Sequence, residues 1–151
     1  FSTDGIYKLK VQGRDKSGNI SGDSDYEISF EVVTKSTITN VFNYPNPFST
    51  KTYFIYTLTG SIMPDELNLT ILTVTGKVVK QIDLLENESI RIGHNKTQYY
   101  WDGRDEFGDL LANGVYLYKV DAKINGVPIE QRKTNADKSF KKNFGKMYLL
   151  R

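Results

Sequence analysis

Hydrophobic and polar residues alternate in short runs along most of this chain. From Ile6 to Val11, Ile6 and Lys8 share one face and Tyr7, Leu9 and Val11 the other. Asp15-Lys16-Ser17-Gly18-Asn19 is rich in turn-forming residues. Tyr26 to Val32 alternates again, so residues 4–33 read as a hairpin. Ile38 to Tyr44 is extended and stopped by Pro45 and Pro47. Tyr53 to Leu58 has the character of a buried strand, and Leu67 to Val74 alternates throughout. Thr75-Gly76 turns the chain into Lys77 to Ile82, a second hairpin. After a polar stretch come a short aromatic strand, Tyr99-Tyr100-Trp101, a long one from Val115 to Ile124, and a last one from Lys146 to Leu150. No segment sustains a helical apolar period. The pattern predicts an all-β, antiparallel β-sandwich of about seven strands with an additional N-terminal β-hairpin.

One internal repeat bears on the domain boundary. Asp4-Gly5-Ile6-Tyr7-Lys8-Leu9-Lys10-Val11 resembles Asn113-Gly114-Val115-Tyr116-Leu117-Tyr118-Lys119-Val120. Both octets enter a strand through an Asx-Gly turn. Residues 1–35 then read as the terminal hairpin of a preceding similar module, and 36–151 as a complete domain. The alternative keeps the hairpin as extra strands of one sandwich. A severed hairpin is marginal in water, so it is expected to pack on the main domain or to pair with a strand of another chain.

Composition narrows the classes. A start at Phe1 rather than Met reads as a fragment or a processed product. Apolar residues make up 38% and aromatics 13%, with ten Tyr and eight Phe, enough to fill a sandwich core. The chain has no cysteine, which rules out disulfides, cysteine-held zinc and a thiol nucleophile. A net charge of +2 is too small to imply nucleic acid, and no apolar run reaches transmembrane length. His94 is the sole histidine, reads as a surface-loop residue, and has no nucleophile elbow to serve. Catalysis is therefore not expected, and neither is a cofactor.

Two segments hold most of the information. In Asn43-Tyr44-Pro45-Asn46-Pro47-Phe48, each proline fixes its own φ and keeps the residue before it extended. A stiff, kinked entry is expected, inserting Tyr44 and Phe48 into the end of the sandwich, with a proline-motif ligand as the alternative. The second segment runs from Trp101 through Asp102, Gly103, Arg104, Asp105, Glu106, Phe107, Gly108 and Asp109 to Asn113, Gly114, Val115 and Tyr116. Its glycines reverse the chain, and Asp102, Asp105 and Asn113 suit Asx turns. Trp101 and Tyr116 are expected to pack beside the loop. Calcium held by Asp102, Asp105, Glu106 and Asp109 is the competing reading, although the spacing is not that of an EF-hand.

Taken in order, Asn-Tyr-Pro-Asn-Pro-Phe, Val74-Thr75-Gly76-Lys77-Val78-Val79, Trp-Asp-Gly-Arg-Asp and Ala-Asn-Gly-Val-Tyr resemble the immunoglobulin-like domain of the flagellar hook-capping protein. They resemble still more closely the C-terminal sorting domains of the type IX secretion system of Bacteroidetes, found at the end of gingipain-like cysteine peptidases and other surface proteins. The ending Phe144-Gly145-Lys146-Met147-Tyr148-Leu149-Leu150-Arg151 is similar to their final strand, and the likeness covers residues 38–151. It implies an immunoglobulin-like fold and a non-catalytic role: a folded signal, read by an outer-membrane translocon, after which a sortase attaches the mature protein to surface lipopolysaccharide. The parent protein would be secreted or held at the surface of a Gram-negative bacterium after passing the periplasm. The residues matched to the signal are Gly145, Lys146, Met147, Leu149, Leu150 and Arg151. The polar insert from Asn125 to Asn143 departs from the short hairpin of many such domains. The basic residues Arg132, Lys133, Lys138, Lys141, Lys142, Lys146 and Arg151 would steer the domain to an acidic surface or form a solvated edge that discourages aggregation. The rival functions are a structural spacer and a carbohydrate-binding or adhesion module, the latter wanting an exposed platform such as Tyr99 and Tyr100.

Overall fold

Strands are the only regular elements among the described residues, as the alternation requires. The structure, a computed structural model, describes residues 3–20, 26–86, 88–131 and 143–151. It divides into two units, Phe1–Lys35 and Ser36–Arg151. No helix among the described residues is long and apolar enough to cross a membrane.

The first unit is one antiparallel pair, β1 (Gly5–Val11) and β2 (Tyr26–Val32). Tyr7 faces Phe30, Leu9 faces Ile28 and Val11 faces Tyr26, so the apolar positions of the two strands share a face. The Tyr7 and Phe30 rings stack with centroids 6.0 Å apart. At the open end the Asp4 carboxylate accepts the Thr34 N–H at 2.6 Å.

The second unit is a sandwich. One sheet runs β10 (Glu130–Gln131), β3 (Thr37–Tyr44), β4 (Thr52–Leu58), β7 (Gly93–Trp101). The other runs β11 (Gly145–Leu149), β8 (Gly114–Ile124), β5 (Glu66–Thr73), β6 (Val78–Asp83), with β9 (Val127–Pro128) also paired to β8. The fold is an immunoglobulin-like β-sandwich, as the pattern predicts. Phe54, Tyr56 and Leu58 of β4 enter the core with Leu67, Leu69 and Ile71 of β5, Trp101 of β7, Tyr118 of β8, and Met147 and Leu149 of β11. Burying each such side chain contributes on the order of 1.5–3 kcal/mol. Phe54 and Tyr118 join the sheets edge to face at 5.2 Å.

The structure corrects three expectations. Tyr44 does not insert beside Phe48; it is 64% exposed. The cause is a bulge between Thr39 and Phe42, where Asn40 takes φ 52°. Beyond it Val41 and Asn43 point inward, and Phe42 and Tyr44 outward. Asn43 holds its inward place by donating to Thr52 Oγ1 at 3.0 Å and to the Pro45 carbonyl.

Strand β7 is nine residues long rather than three. Its inward positions include Asn95 and Thr97, polar residues that hide the alternation. The Asn95 amide donates to the Arg91 and Gly93 carbonyls. Thr97 Oγ1 accepts the Phe54 N–H at 3.0 Å and donates to the Tyr99 carbonyl at 2.7 Å. The Glu88 carboxylate takes the Tyr99 N–H at 2.9 Å across an irregularity in the β4–β7 pairing. His94 therefore lies exposed on a strand, opposite Thr57, and not in a loop.

The segment expected as a polar insert from Asn125 to Asn143 begins as a tight hairpin. Asn125 and Gly126 take φ 51° and 75°, and β9 folds back on β8. The chain then crosses to the other sheet, where β10 runs parallel to β3. Arg132, Lys133, Lys138, Lys141 and Lys142 lie outside the described residues.

Candidate functional site

The C-terminal strand is the element on which the separated motifs converge. β11 pairs antiparallel with β8, from Gly145 opposite Tyr118 to Leu149 opposite Gly114. Its alternation puts Gly145, Met147 and Leu149 inward and Lys146 and Tyr148 outward. Met147 and Leu149 are fully buried, and Leu150, just beyond, is exposed. The Tyr118 ring lies across Gly145; a Cβ there would meet its Cζ at 2.2 Å. Gly145 therefore carries a packing role in its own right.

A strand at a sheet edge normally leaves every second N–H and C=O open to another chain. Here that side is occupied. Asn46 Nδ2 donates to the Lys146 carbonyl at 2.9 Å, and Asn46 Oδ1 accepts the Tyr148 N–H at 3.0 Å. The Phe48 N–H donates to the Tyr148 carbonyl at 3.0 Å, and the Leu150 N–H to the Phe48 carbonyl at 2.9 Å. The Asn46 side-chain amide thus stands in for a peptide group, and Phe48 continues as a short parallel bridge to Leu149. Pro45 and Pro47 flank Asn46, removing competing N–H donors and stiffening the segment. The Phe48 ring is buried against Trp101, centroids 5.6 Å apart.

Arg151 is held by the same device. The Asn113 amide donates to its carbonyl and accepts its N–H, both at 2.9 Å. Its guanidinium donates to the carbonyls of Leu111, at 3.1 Å, and Asp102. Gly103, at φ 76°, makes room: a Cβ would lie 2.6 Å from Arg151 Nη2 and 2.8 Å from Leu149 Cδ2.

The loop behind Arg151 is tied by its own side chains. Trp101 is fully buried and donates Nε1–H to the Arg104 carbonyl at 2.8 Å. It meets Tyr116 edge to face at 5.2 Å. The Tyr116 hydroxyl donates to the Ala112 carbonyl at 2.8 Å; burial raises its pKa, against the Arg151 charge. Asp102 accepts the Arg104 N–H and pairs with Arg104 Nε at 3.3 Å. Asp105 Oδ1 accepts the N–H groups of Phe107 and Asp109, both at 2.9 Å, and Gly108 closes the turn at φ 88°. Glu106 reaches Lys80 and the Gln81 N–H instead of joining the aspartates. Among the described residues no three His, Cys, Asp or Glu side chains gather as a metal site. Asp102 and Asp105 accept N–H groups of their own loop, as the Asx-turn reading expects.

Sequence reasoning missed a second repeat. Gly13-Arg14-Asp15-Lys16-Ser17-Gly18-Asn19-Ile20 matches Gly103-Arg104-Asp105-Glu106-Phe107-Gly108-Asp109-Leu110 in spacing. Asp15 Oδ1 takes the N–H groups of Ser17 and Asn19 at 2.9 Å, as Asp105 does in the later turn. Arg14 bridges Ile20 as Arg104 bridges Leu110. The signal was the eight-residue Gly-Arg-Asp-x-x-Gly-Asx-aliphatic spacing itself. The clasp formed by Asn46 had no such signal, since its partners lie about a hundred residues away.

The Tyr99–Tyr100 platform does not form. Tyr99 is half-buried against the core, and burial pushes its hydroxyl up to about 12. Tyr100 is exposed but sits edge-on to Tyr53, at 66°.

The profile of the FlgD Ig-like domain matches residues 49–126, just over half of the chain. Among solved structures, dimeric latent PorU from Porphyromonas gingivalis is similar in fold, with a TM-score of 0.52 at 18% identity. That match covers 98% of this chain but only 12% of the PorU chain, so the chain spans a small part of that protein's length. No curated protein matches the sequence.

Proposed function

The chain belongs to the FlgD Ig-like domain family, and from that premise we propose that it is the C-terminal sorting domain of a larger exported protein, directing type IX secretion across the outer membrane and attachment at the surface. Domains of this FlgD type are generally non-catalytic, which suits a role in delivery. The observation that carries the proposal is the convergence on β11. Asn46, Phe48, Asp102, Gly103 and Asn113, drawn from the motifs that resemble sorting domains, all touch the terminal strand or Arg151. A signal read in folded form needs a terminal strand held in one geometry, because ordering a loose tail subtracts from binding free energy.

The partners on this reading are the translocon and the sortase of that system, and the destination is the surface of a Gram-negative bacterium. The occupied edge makes the reading more specific. A receptor that added a strand to β11 would first have to displace Asn46 and Phe48. In the folded form it meets the outward side chains instead, Lys146, Tyr148 and Leu150.

Fusing residues 1–151 behind an exported reporter in a Bacteroidetes host tests this. Surface display that depends on the secretion system, and is lost when Lys146 and Tyr148 are both changed to Ser, is the expected outcome. A fusion retained in the periplasm with its sandwich folded overturns the proposal.

A further inference from the structure

Beside Arg151 lies a recess of about 460 Å³ lined by Ser49, Thr50, Asp102, Arg104, Leu110 and Arg151. It is a shallow depression, open to solvent. The lining side chains carry two positive charges against one negative. Both guanidinia are fixed in place by the protein's own oxygens. Arg104 Nη1 donates to the Gly108 carbonyl at 2.7 Å, and its Nε lies 3.3 Å from Asp102 Oδ2. Arg151 is anchored on the Leu111 and Asp102 carbonyls and lies against Gly103.

A guanidinium has five N–H donors in a rigid fork. Each of these uses some of them on the protein, and the others have no acceptor among the described residues. The Ser49 and Thr50 hydroxyls border the same space. Neither arginine has to be ordered on binding, so the usual entropic cost of recruiting long side chains is already met by the fold.

We propose that this recess binds a phosphate group, as free phosphate or as a phosphate monoester. The N–H groups that the two guanidinia do not spend on the protein, together with two hydroxyls, offer more donors than a single carboxylate has oxygens to accept. A phosphate monoester presents three acceptor oxygens at about two negative charges. Leu110, 61% exposed on the rim, gives an apolar flank to the carbon side of an ester. Asp102, paired with Arg104, offsets one of the two guanidinium charges and leaves the lining side chains with a single net positive charge. The inference does not rest on the sorting role; it would stand for a spacer domain as well.

Nitrogen-labelled chain 1–151 provides the test, through the side-chain Nε–Hε signals of Arg104 and Arg151. Inorganic phosphate and glycerol phosphate are titrated separately at constant ionic strength, with acetate and chloride as controls. Saturable movement of both signals is expected, with half-saturation at roughly 1–10 mM and at least about tenfold weaker movement by acetate. Saturation by the ester alone assigns an esterified ligand such as a headgroup, whereas saturation by both probes assigns the phosphate itself. Arg104→Lys, which keeps the charge and loses the fork, should weaken binding by about tenfold. Ser49→Ala with Thr50→Ala should weaken it severalfold while the buried Trp101 fluorescence stays native. Linear drift without saturation, equal response to chloride, or unchanged binding in both variants overturns the site.

Discussion

Replacing Asn46 with alanine removes two hydrogen bonds from the outer edge of β11 and nothing from the core. Each is worth about 0.5–1.5 kcal/mol net. Asn46 is exposed, so water reaches the released Lys146 carbonyl and Tyr148 N–H, and no full desolvation penalty is added. The expected loss is about 1–2 kcal/mol. Trp101 is the single tryptophan, fully buried in the second unit, so its fluorescence isolates that unit in a urea titration. With a slope of about 1–3 kcal/mol per molar, the midpoint should fall by roughly 0.3–2 M. Hydrogen exchange makes the test local. The Tyr148 amide should lose its protection almost entirely. Met147 and Leu149, whose backbone groups alternate toward β8, should change only by the global loss. Asn46→Asp divides the two bonds: its oxygen still accepts the Tyr148 N–H, but nothing donates to Lys146. Tyr148 should then stay protected although the midpoint falls. The clasp is refuted if Tyr148 exchanges in Asn46→Ala as it does in the native chain, or if the aspartate variant behaves like the alanine one.

Gly145→Ala drives a methyl into the Tyr118 ring, which is nearly fully buried and locked against Phe54. A loss of about 1–3 kcal/mol is expected by Trp101 fluorescence; a change below about 0.5 kcal/mol would mean that the ring can move. Tyr56 is fully buried and its hydroxyl has no partner among the described residues, so Tyr56→Phe should stabilise the second unit by up to about 1 kcal/mol. A comparable loss would reveal a bond the hydroxyl makes. Burial raises the Glu88 carboxyl above its ordinary value, partly offset by the Tyr99 and Gln98 N–H donors. The folded state then holds that proton more tightly than the unfolded chain does. Relative to Glu88→Gln, the native protein should lose stability as pH rises from about 4 to about 7. Urea midpoints across that range that diverge in the opposite direction would reverse the assignment.

The strands with an apolar inward row were legible in the sequence. Strands β4 and β8, and most of β5, keep that alternation. Strand β7 was not legible, because Asn95 and Thr97 hold inward places and are satisfied by backbone groups that only the folded chain supplies. The inversion at Asn40 was hidden for a different reason: a bulge adds a residue without changing composition, and it sends Asn43 inward in place of Tyr44. At the candidate site the motifs themselves could be read, including Trp101, Gly103, Gly108 and Tyr116. Their common destination could not. Asn46 meets Lys146 and Tyr148 across about a hundred residues, and Asn113 meets Arg151 across 38. No local pattern specifies a contact of that separation.

The repeated turn separates what the local sequence determines from what the fold adds. In both units one carboxylate oxygen of an aspartate accepts two N–H groups of its own loop. At Asp15 that engagement shows in its acidity: the Asn19 side chain and the turn N–H groups hold its pKa below the ordinary value. In either unit the turn is closed by its own aspartate side chain. In the second unit the same backbone acquires further tasks. Its Arg104 carbonyl receives the Trp101 indole, which ties the loop to the core. Its Gly103 admits the Arg151 guanidinium, which ties the loop to the end of β11. What distinguishes the second turn is thus its neighbours, Trp101 on one side and Arg151 on the other. Those two contacts turn a generic reversal of the chain into a support for the terminal strand.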